Sequence, residues 1–166
     1  LAGAKLDGAD LAFAGLDAGL HWDVRLRGAN LYGARIGGIL ERAHLMSANL
    51  NTAYLDGANL TDAKMQSTDL RGVRLDAETK LKGTNFREAG ISDTDLSDVN
   101  ISADQIASMF GDASVTLPRG VVPGSEDWPR HWPVLVLTPF FEDGFTIEWR
   151  AWQIDPQGYL PPEKPS

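Results

Sequence analysis

The sequence has no cysteine, no long apolar run and no excess of basic residues. Without cysteine, disulfides, thiolate metal sites and cysteine nucleophiles are excluded. No apolar run approaches the roughly 18 residues of a membrane-spanning helix, so we expect no membrane segment in this chain. The formal net charge of −8 argues against direct nucleic-acid binding, which needs a basic surface. We favour a cytoplasmic location.

Proline is absent from the first 117 residues, and all nine prolines follow that point. Most aromatic residues also lie late, after residue 106, whereas most glycines lie before it. Proline lacks the backbone N–H that a paired β ladder uses, so its absence favours such a ladder in the first segment. We predict a repeat domain over residues 1–101, a capping helix over 102–111 and a Trp- and Pro-rich extension over 112–166.

An apolar residue recurs at every fifth position through most of the first segment. From Ala43 the chain reads AHLMS, ANLNT, AYLDG, ANLTD, AKMQS, TDLRG, VRLDA, with a small residue two positions before each apolar centre. Neither the 3.6-residue period of a helix nor the alternation of a plain strand explains this spacing. A short extended side followed by a tight corner does, because the small residue and the centre then both point inward.

These units resemble the pentapeptide repeat family, whose unit is A-[DN]-L-x-x, over about residues 1–106. The strongest matches are Ala9-Asp10-Leu11, Ala29-Asn30-Leu31, Ala48-Asn49-Leu50 and Ala58-Asn59-Leu60. The resemblance implies an all-β solenoid, a right-handed quadrilateral β-helix with about four units per coil and here about five coils. The phrases at 110–115 and 149–152 are similar to tails of bacterial members of the family.

The repeat changes step where corners are shortened or lengthened. Leu40 follows Ile36 by four residues, and Leu81 follows Leu75 by six. In the first coil we take Leu20 as the fourth centre and reject His21, because an imidazole in an apolar column would lose its hydration. Leu1 also falls in register as a centre, so we expect either further coils or a symmetric mate, as in a homodimer, at the amino end.

The positions that flank the centres sort into sides of the prism, and two of these sides are candidate protein-binding faces. The predicted basic side carries Lys5, Arg25, Arg27, Lys64 and Arg87. The predicted acidic side carries Asp17, Asp56, Asp76, Asp95 and Asp98, with Arg35 and Arg74 between them. Trp22 and Tyr54 are predicted to be exposed and are candidate contact anchors. The alternative is a solvated surface of mixed charge with no binding role.

The residues after Ile101 predict a helix that covers the end of the solenoid and a second helix in the extension. Ser102 and Gln105 have the spacing of a capping box, which favours a short helix over about 103–110. The helical spacing of Phe145, Trp149 and Trp152 predicts a second helix over 145–153. The tryptophans of this extension are expected to pack as core, and the proline-rich end from Tyr159 is expected to trail as an extended arm.

No catalytic constellation or metal-ligand spacing occurs, so the sequence predicts no enzyme, no metal and no cofactor. The leading hypothesis is a bacterial scaffold that presents flat charged faces to a protein partner whose identity is unknown. A second hypothesis follows from resemblance to the quinolone-resistance branch of the family: a DNA mimic that inhibits type II topoisomerase. The third is a soluble structural domain of a longer bacterial protein, either attached to a membrane or free.

Overall fold

Successive coils of the chain pair in parallel in a computed structural model that describes residues 1–17, 19, 21–137, 139–140 and 142–162. Paired residues lie 19 to 21 positions apart, as in the pairs Arg25–His44, His44–Lys64 and Lys64–Asn85. One coil therefore contains about four five-residue units. The sequence prediction of a solenoid is confirmed by this pairing.

The five-residue unit buries its small residue and its centre, as the pattern predicts. Ala48, Leu50 and Ala53 are each at most 1% exposed. The Leu50 N–H donates to the Asp69 carbonyl of the next coil at 2.9 Å, and the Ala53 N–H closes the corner on the Leu50 carbonyl at 2.9 Å. Each coil is thus held to its neighbour by backbone hydrogen bonds and by stacked apolar centres, the nearest-neighbour arrangement of a repeat protein.

Two predicted changes of step are present in the structure. Leu40 and Leu81 are buried centres, and the residues before them, Ile39 and Lys80, both pair with Asn59. At the shortened corner Gly38 has φ 78°, and a Cβ there would lie 2.6 Å from the Gly19 carbonyl oxygen. Only glycine combines this backbone conformation with such a close approach, which explains the glycine pair at this corner.

The rejection of His21 as a centre is wrong. The His21 N–H donates to the Ile39 carbonyl at 2.7 Å, as the Leu16 N–H donates to Arg35, and the His21 side chain is 5% exposed. Leu20, the centre we predicted in its place, lies outside the described residues. Backbone register therefore places an imidazole in the apolar column in spite of the cost of removing it from water.

After the buried centre Leu96, the chain departs from the repeat and forms a short helix before it rejoins the ladder. Helix α1, Ala103–Ala107, has the predicted capping box, in which Ser102 and Gln105 cap one another. It ends three residues before the predicted end. Strand β2, Phe110–Gly111, then pairs in parallel with β1, Gly90–Ile91. Parallel pairing thus continues beyond residue 101, and the division into three domains stays a prediction.

The carboxy-terminal extension contains a 3-10 helix, a short hairpin and a second helix. The 3-10 helix is Pro118–Gly120, and strands β3, Pro139–Phe140, and β4, Glu142–Asp143, are antiparallel. Helix α2, Gly144–Ile154, confirms the predicted second helix. The tryptophans pack as predicted, since Trp128 and Trp132 join the solenoid core while Trp149 and Trp152 form a second core with Phe110.

Helix α2 packs against one side of the solenoid. Trp149 Nε1 and Gln153 Nε2 both donate to the Glu88 carbonyl at 2.9 Å. Arg71 forms ion pairs with Asp69 and with Asp143 at the start of α2, and its guanidinium lies over the Phe145 ring. Hydrogen bonding to Asp69 is the largest of the effects that raise the pKa of Arg71.

Gly90 provides the space that α2 needs. It pairs with Asp69 in the ladder, where the other coils carry a side chain, and a Cβ at Gly90 would lie 2.6 Å from the Trp149 ring. We expect Gly90→Ala to displace α2 and to lower the free energy of unfolding by about 1–3 kcal/mol through overpacking. Urea unfolding and a red shift of tryptophan emission measure this effect.

Gly15→Ala is the matched control, because Gly15 is also a ladder residue and, apart from its chain neighbours, no described residue has an atom within 4 Å of a Cβ at its position. The control is expected to unfold like the wild type. Equal stability of the two variants would contradict the conclusion that α2 packs closely against the backbone at Gly90.

Candidate protein-interaction faces

Cationic side chains follow one another along a single paired column of the solenoid. Lys5 pairs with Arg25, Arg25 with His44, and His44 with Lys64. We call these four residues the basic ladder. Adjacent coils lie about 4.8 Å apart at the spacing of paired strands, so the ladder presents a row of closely spaced cationic and imidazole groups. Three residues of the predicted basic side, Lys5, Arg25 and Lys64, are brought together here.

The basic ladder is only partly neutralised by neighbouring carboxylates. Arg25 forms an ion pair with Asp7 at 2.5 Å, whereas Lys5 and Lys64 have no ion pair with a described residue. Desolvation raises the pKa of Asp7, but the hydrogen bond from the Arg27 N–H and the charge of Arg25 outweigh it and lower that pKa. The lysines at the two ends of the ladder are therefore free to meet an external anion.

Burial makes His44 a poor cation at neutral pH. Desolvation is the first cause of its lowered pKa, and the charges of Lys64 and Arg25 add to the effect. The sequence pattern also places His44 on the basic side, one residue before the centre Leu45, although His44 is not among the candidate binding residues.

The other two residues of the predicted basic side lie apart from each other. Arg27 and Arg87 occupy the column on the far side of the centres, where Met46 and Gln66 separate them. That separation is three coils, or about 14 Å at the strand spacing of about 4.8 Å. Arg87 also lies 3.2 Å from the Glu88 carboxylate. The basic ladder, and not the whole predicted set, is the compact cationic feature.

The predicted acidic side is a mixed surface. Arg35, Tyr54 and Arg74 are consecutive ladder residues, and the two guanidinium groups lie 6.0 and 5.3 Å from the centre of the Tyr54 ring. Asp17 lies 3.5 Å from Arg35, and Asp56 lies 3.9 Å from Arg74. Two acidic residues are thus paired with arginine, and Tyr54 is held between cations.

The remaining acidic residues differ in their environments. The Asp76 carboxylate accepts from the Gly57 N–H and from the Thr79 hydroxyl, both at 2.8 Å, and these bonds lower its pKa. Asp95 accepts from the Ser97 N–H at 2.9 Å, which lowers the pKa of Asp95. Asp98 is exposed and has no ion pair with a described residue. Asp76 and Asp95 therefore stabilise turns, and no continuous acidic stripe is formed.

The two candidate aromatic anchors are exposed but stand on different sides. Trp22 is 39% exposed and follows the centre His21, whereas Tyr54 is 41% exposed and lies between Arg35 and Arg74. A sequence pattern has no signal for the arginine contacts, because they depend on which residues become neighbours in adjacent coils. The binding roles of both aromatics stay predictions.

The described residues offer neither a metal-binding cluster nor a membrane-spanning helix. No group of three or more His, Cys, Asp or Glu side chains there is arranged to hold a metal ion. Over the same part of the chain, no helix combines the length and the apolar character that crossing a membrane requires.

Comparison with known proteins gives a family match within the solenoid. Residues 39–76 match the family model for pentapeptide repeats, with eight copies. No curated protein sequence gives a significant match. A solved pentapeptide repeat protein from the thylakoid lumen of Arabidopsis thaliana is 27% identical, with 72% of this chain and 84% of that chain covered and a TM-score of 0.35.

Two further solved structures have lower identity. The pentapeptide repeat protein Rfr23 from the cyanobacterium Cyanothece 51142 is 19% identical, with 69% of this chain and 88% of that chain covered and a TM-score of 0.34. QnrB1, a plasmid-mediated fluoroquinolone resistance protein, is 17% identical, with 69% of this chain and 65% of that chain covered and a TM-score of 0.40.

Proposed function

We propose that this chain is a pentapeptide repeat protein, which the match of residues 39–76 and the five-residue period support, and that it is a non-catalytic scaffold. In this proposal an acidic protein partner docks on the basic ladder. Its solenoid is then the right-handed, four-sided helix of about five coils that the family resemblance implies. The observation that carries the proposal is the ladder itself, with Lys5 and Lys64 at its ends, neither of which forms an ion pair with a described residue.

The basic ladder is favoured over the acidic side because its two lysines, Lys5 and Lys64, form no ion pair with a described residue. Charges that face each other across an interface steer association and fix register, whereas groups already paired within one chain contribute less. Asp17 and Asp56 form ion pairs with arginines, and the Asp76 carboxylate accepts a hydrogen bond from the backbone of a corner. Lys5 and Arg25 lie one coil apart, about 4.8 Å, and Arg25 and Lys64 lie two coils apart across His44, a spacing of cations that fits an acidic surface or an acidic strand on the partner.

The DNA-mimic hypothesis is the second candidate, and the charge pattern does not favour it. A mimic must reproduce a long row of phosphate charges, about one per 1.7 Å of duplex axis. Here Arg35 and Arg74 interrupt the acidic side, and both have highly exposed side chains. A gyrase supercoiling assay distinguishes the two hypotheses. Inhibition of supercoiling at micromolar concentrations of this protein would support the DNA-mimic hypothesis and overturn the scaffold proposal. The cytoplasmic location and bacterial origin stay predictions.

Capture with charge-reversed variants tests the scaffold proposal. The variant Lys5→Glu/Lys64→Glu reverses two exposed cations that have no ion pair with a described residue, so it is expected to fold like the wild type. When the immobilised protein carries this variant, it should no longer capture the partner that the immobilised wild type enriches. Arg130→Glu/Arg150→Glu changes the net charge equally on the extension and should retain it. Loss of the partner from the control as well would show that net charge, and not the ladder, governs capture.

A further inference from the structure

One edge of the solenoid is left without its partner strand. The N–H groups of Leu60, Asp62 and Met65 donate to Lys80, Lys82 and Asn85 of the next coil, each at 2.9 Å. One coil further on, the corresponding donors are Leu81, Gly83 and Phe86. None of these three N–H groups has a hydrogen-bond acceptor among the described residues.

The partner strand is missing because the chain forms α1 at this level. Pairing resumes only at Glu88, whose N–H donates to the Ser108 carbonyl at 2.9 Å, after the helix has ended. Between the edge and α1 lies an open groove of about 1030 Å³. The residues of the free edge, Lys80 to Phe86, form one wall, and Asn100 to Gln105 contribute to the other.

The groove offers hydrogen-bond donors and cations. Two edge carbonyls, those of Leu81 and Thr84, already accept from Gln105 Nε2 at 2.7 and 3.0 Å. Lys80, Lys82 and Arg119 line the groove without an ion pair to any described carboxylate. Glu78 and Asp104 are the acidic residues of the lining, so cations outnumber carboxylates.

We propose that this groove binds an extended acidic peptide segment of a partner protein. Carbonyl oxygens of the peptide accept from the Leu81, Gly83 and Phe86 N–H groups, as an added strand does at an open sheet edge. Acidic side chains on the peptide meet Lys80, Lys82 and Arg119. The groove shares no residue with the basic ladder, although its lining residue Asn85 pairs with Lys64 at the end of that ladder. The proposal does not depend on the function proposed for the ladder.

Amide hydrogen exchange of the free chain tests the open edge. We expect the Leu81, Gly83 and Phe86 amides to exchange at least about tenfold faster than their paired counterparts Leu60, Asp62 and Met65, because exchange is slow where a backbone hydrogen bond must open first. Equal protection of the two sets would overturn the proposal, since the edge would then already be occupied.

Titration with a defined peptide tests the ligand. The probe is an acetylated and amidated octapeptide of alternating Glu and Val, followed by ¹⁵N–¹H correlation spectra. We expect chemical-shift changes at the Leu81, Gly83 and Phe86 amides, and an affinity at least about tenfold weaker for Lys80→Glu/Lys82→Glu, whose reversed charges line the groove. The variant Lys5→Glu/Lys64→Glu should bind like the wild type.

Three results would overturn this assignment. They are no shift at millimolar peptide, equal binding of the alternating Lys and Val octapeptide, and loss of binding in Lys5→Glu/Lys64→Glu instead of Lys80→Glu/Lys82→Glu. The last result would place acidic peptides on the basic ladder alone. Both variants alter exposed lysines, so a correlation spectrum that retains the wild-type dispersion verifies folding in the same experiment.

Discussion

Replacing Leu50 with alanine is expected to lower the free energy of unfolding by about 2–5 kcal/mol, because a cavity in a well-packed core adds to the lost transfer free energy. Leu50 is fully buried, and its N–H and carbonyl hold a ladder bond and a corner bond. The side chain of the corner residue Ala53, whose N–H bonds the Leu50 carbonyl, is too small to fill the space. Urea unfolding followed by circular dichroism measures the change.

Leu160→Ala is the control for this substitution, because Leu160 is 86% exposed. It removes the same atoms from a surface position and is expected to change stability by less than about 0.5 kcal/mol. A loss below about 1 kcal/mol for Leu50→Ala would mean that the centres do not form a packed column, contrary to the structure.

Replacing His21 with leucine is expected to raise the free energy of unfolding by about 1–3 kcal/mol at neutral pH, the usual cost of burying an unsatisfied polar group. Neither ring nitrogen of His21 has a hydrogen-bond partner among the described residues. Leucine supplies an apolar side chain at a position whose counterparts in the next coils are Leu40 and Leu60.

The stability gained by His21→Leu should grow as the pH falls. Desolvation is the first cause of the lowered pKa of His21, and the positive charge of the amino terminus adds to it. The Leu16 backbone, which does not meet hydrogen-bond geometry with the ring, opposes both effects more weakly. Between this folded pKa and the ordinary value of about 6.5, the unfolded chain binds a proton that the folded chain does not, so acid destabilises the wild type. His44 and His131 titrate in both proteins and largely cancel in the comparison.

Urea unfolding of the wild type and His21→Leu at pH 7.5 and pH 5.5 measures this dependence. The stability difference between the two proteins should be larger at pH 5.5. A difference that stays constant, or a variant less stable than the wild type at both pH values, would mean that the imidazole has a compensating partner in the folded chain.

Most of the solenoid is predictable from the sequence because the five-residue period shows directly which positions are buried. A small residue and an apolar centre recur every five positions, and Ala48, Leu50 and Ala53 are buried accordingly. The same rule also points to His21, five residues after Leu16 and five before Leu26. We set it aside on the cost of desolvation, but backbone register carries several hydrogen bonds at once and outweighs one imidazole.

The candidate sites are less predictable because they depend on neighbours from other coils. The repeat predicts that Lys5, Arg25 and Lys64 lie on one side of the solenoid. Only the pairing of the coils shows that these three share one column, whereas Arg27 and Arg87 lie in another. The groove beside Leu81 depends on where α1 replaces a paired side, and the capping box predicts the helix without predicting the unpaired donors opposite it.

The affinity of the isolated partner for wild-type chain and for Lys5→Glu/Lys64→Glu tests the central claim most directly, by calorimetry at low and at physiological salt. We predict that the variant binds the partner at least about tenfold more weakly than the wild type, whereas Arg130→Glu/Arg150→Glu binds with the wild-type affinity. Added salt should reduce the difference in affinity between the wild type and Lys5→Glu/Lys64→Glu, because salt screens partly exposed charges. Equal affinity of the wild type and Lys5→Glu/Lys64→Glu at both salt concentrations would contradict docking on the basic ladder.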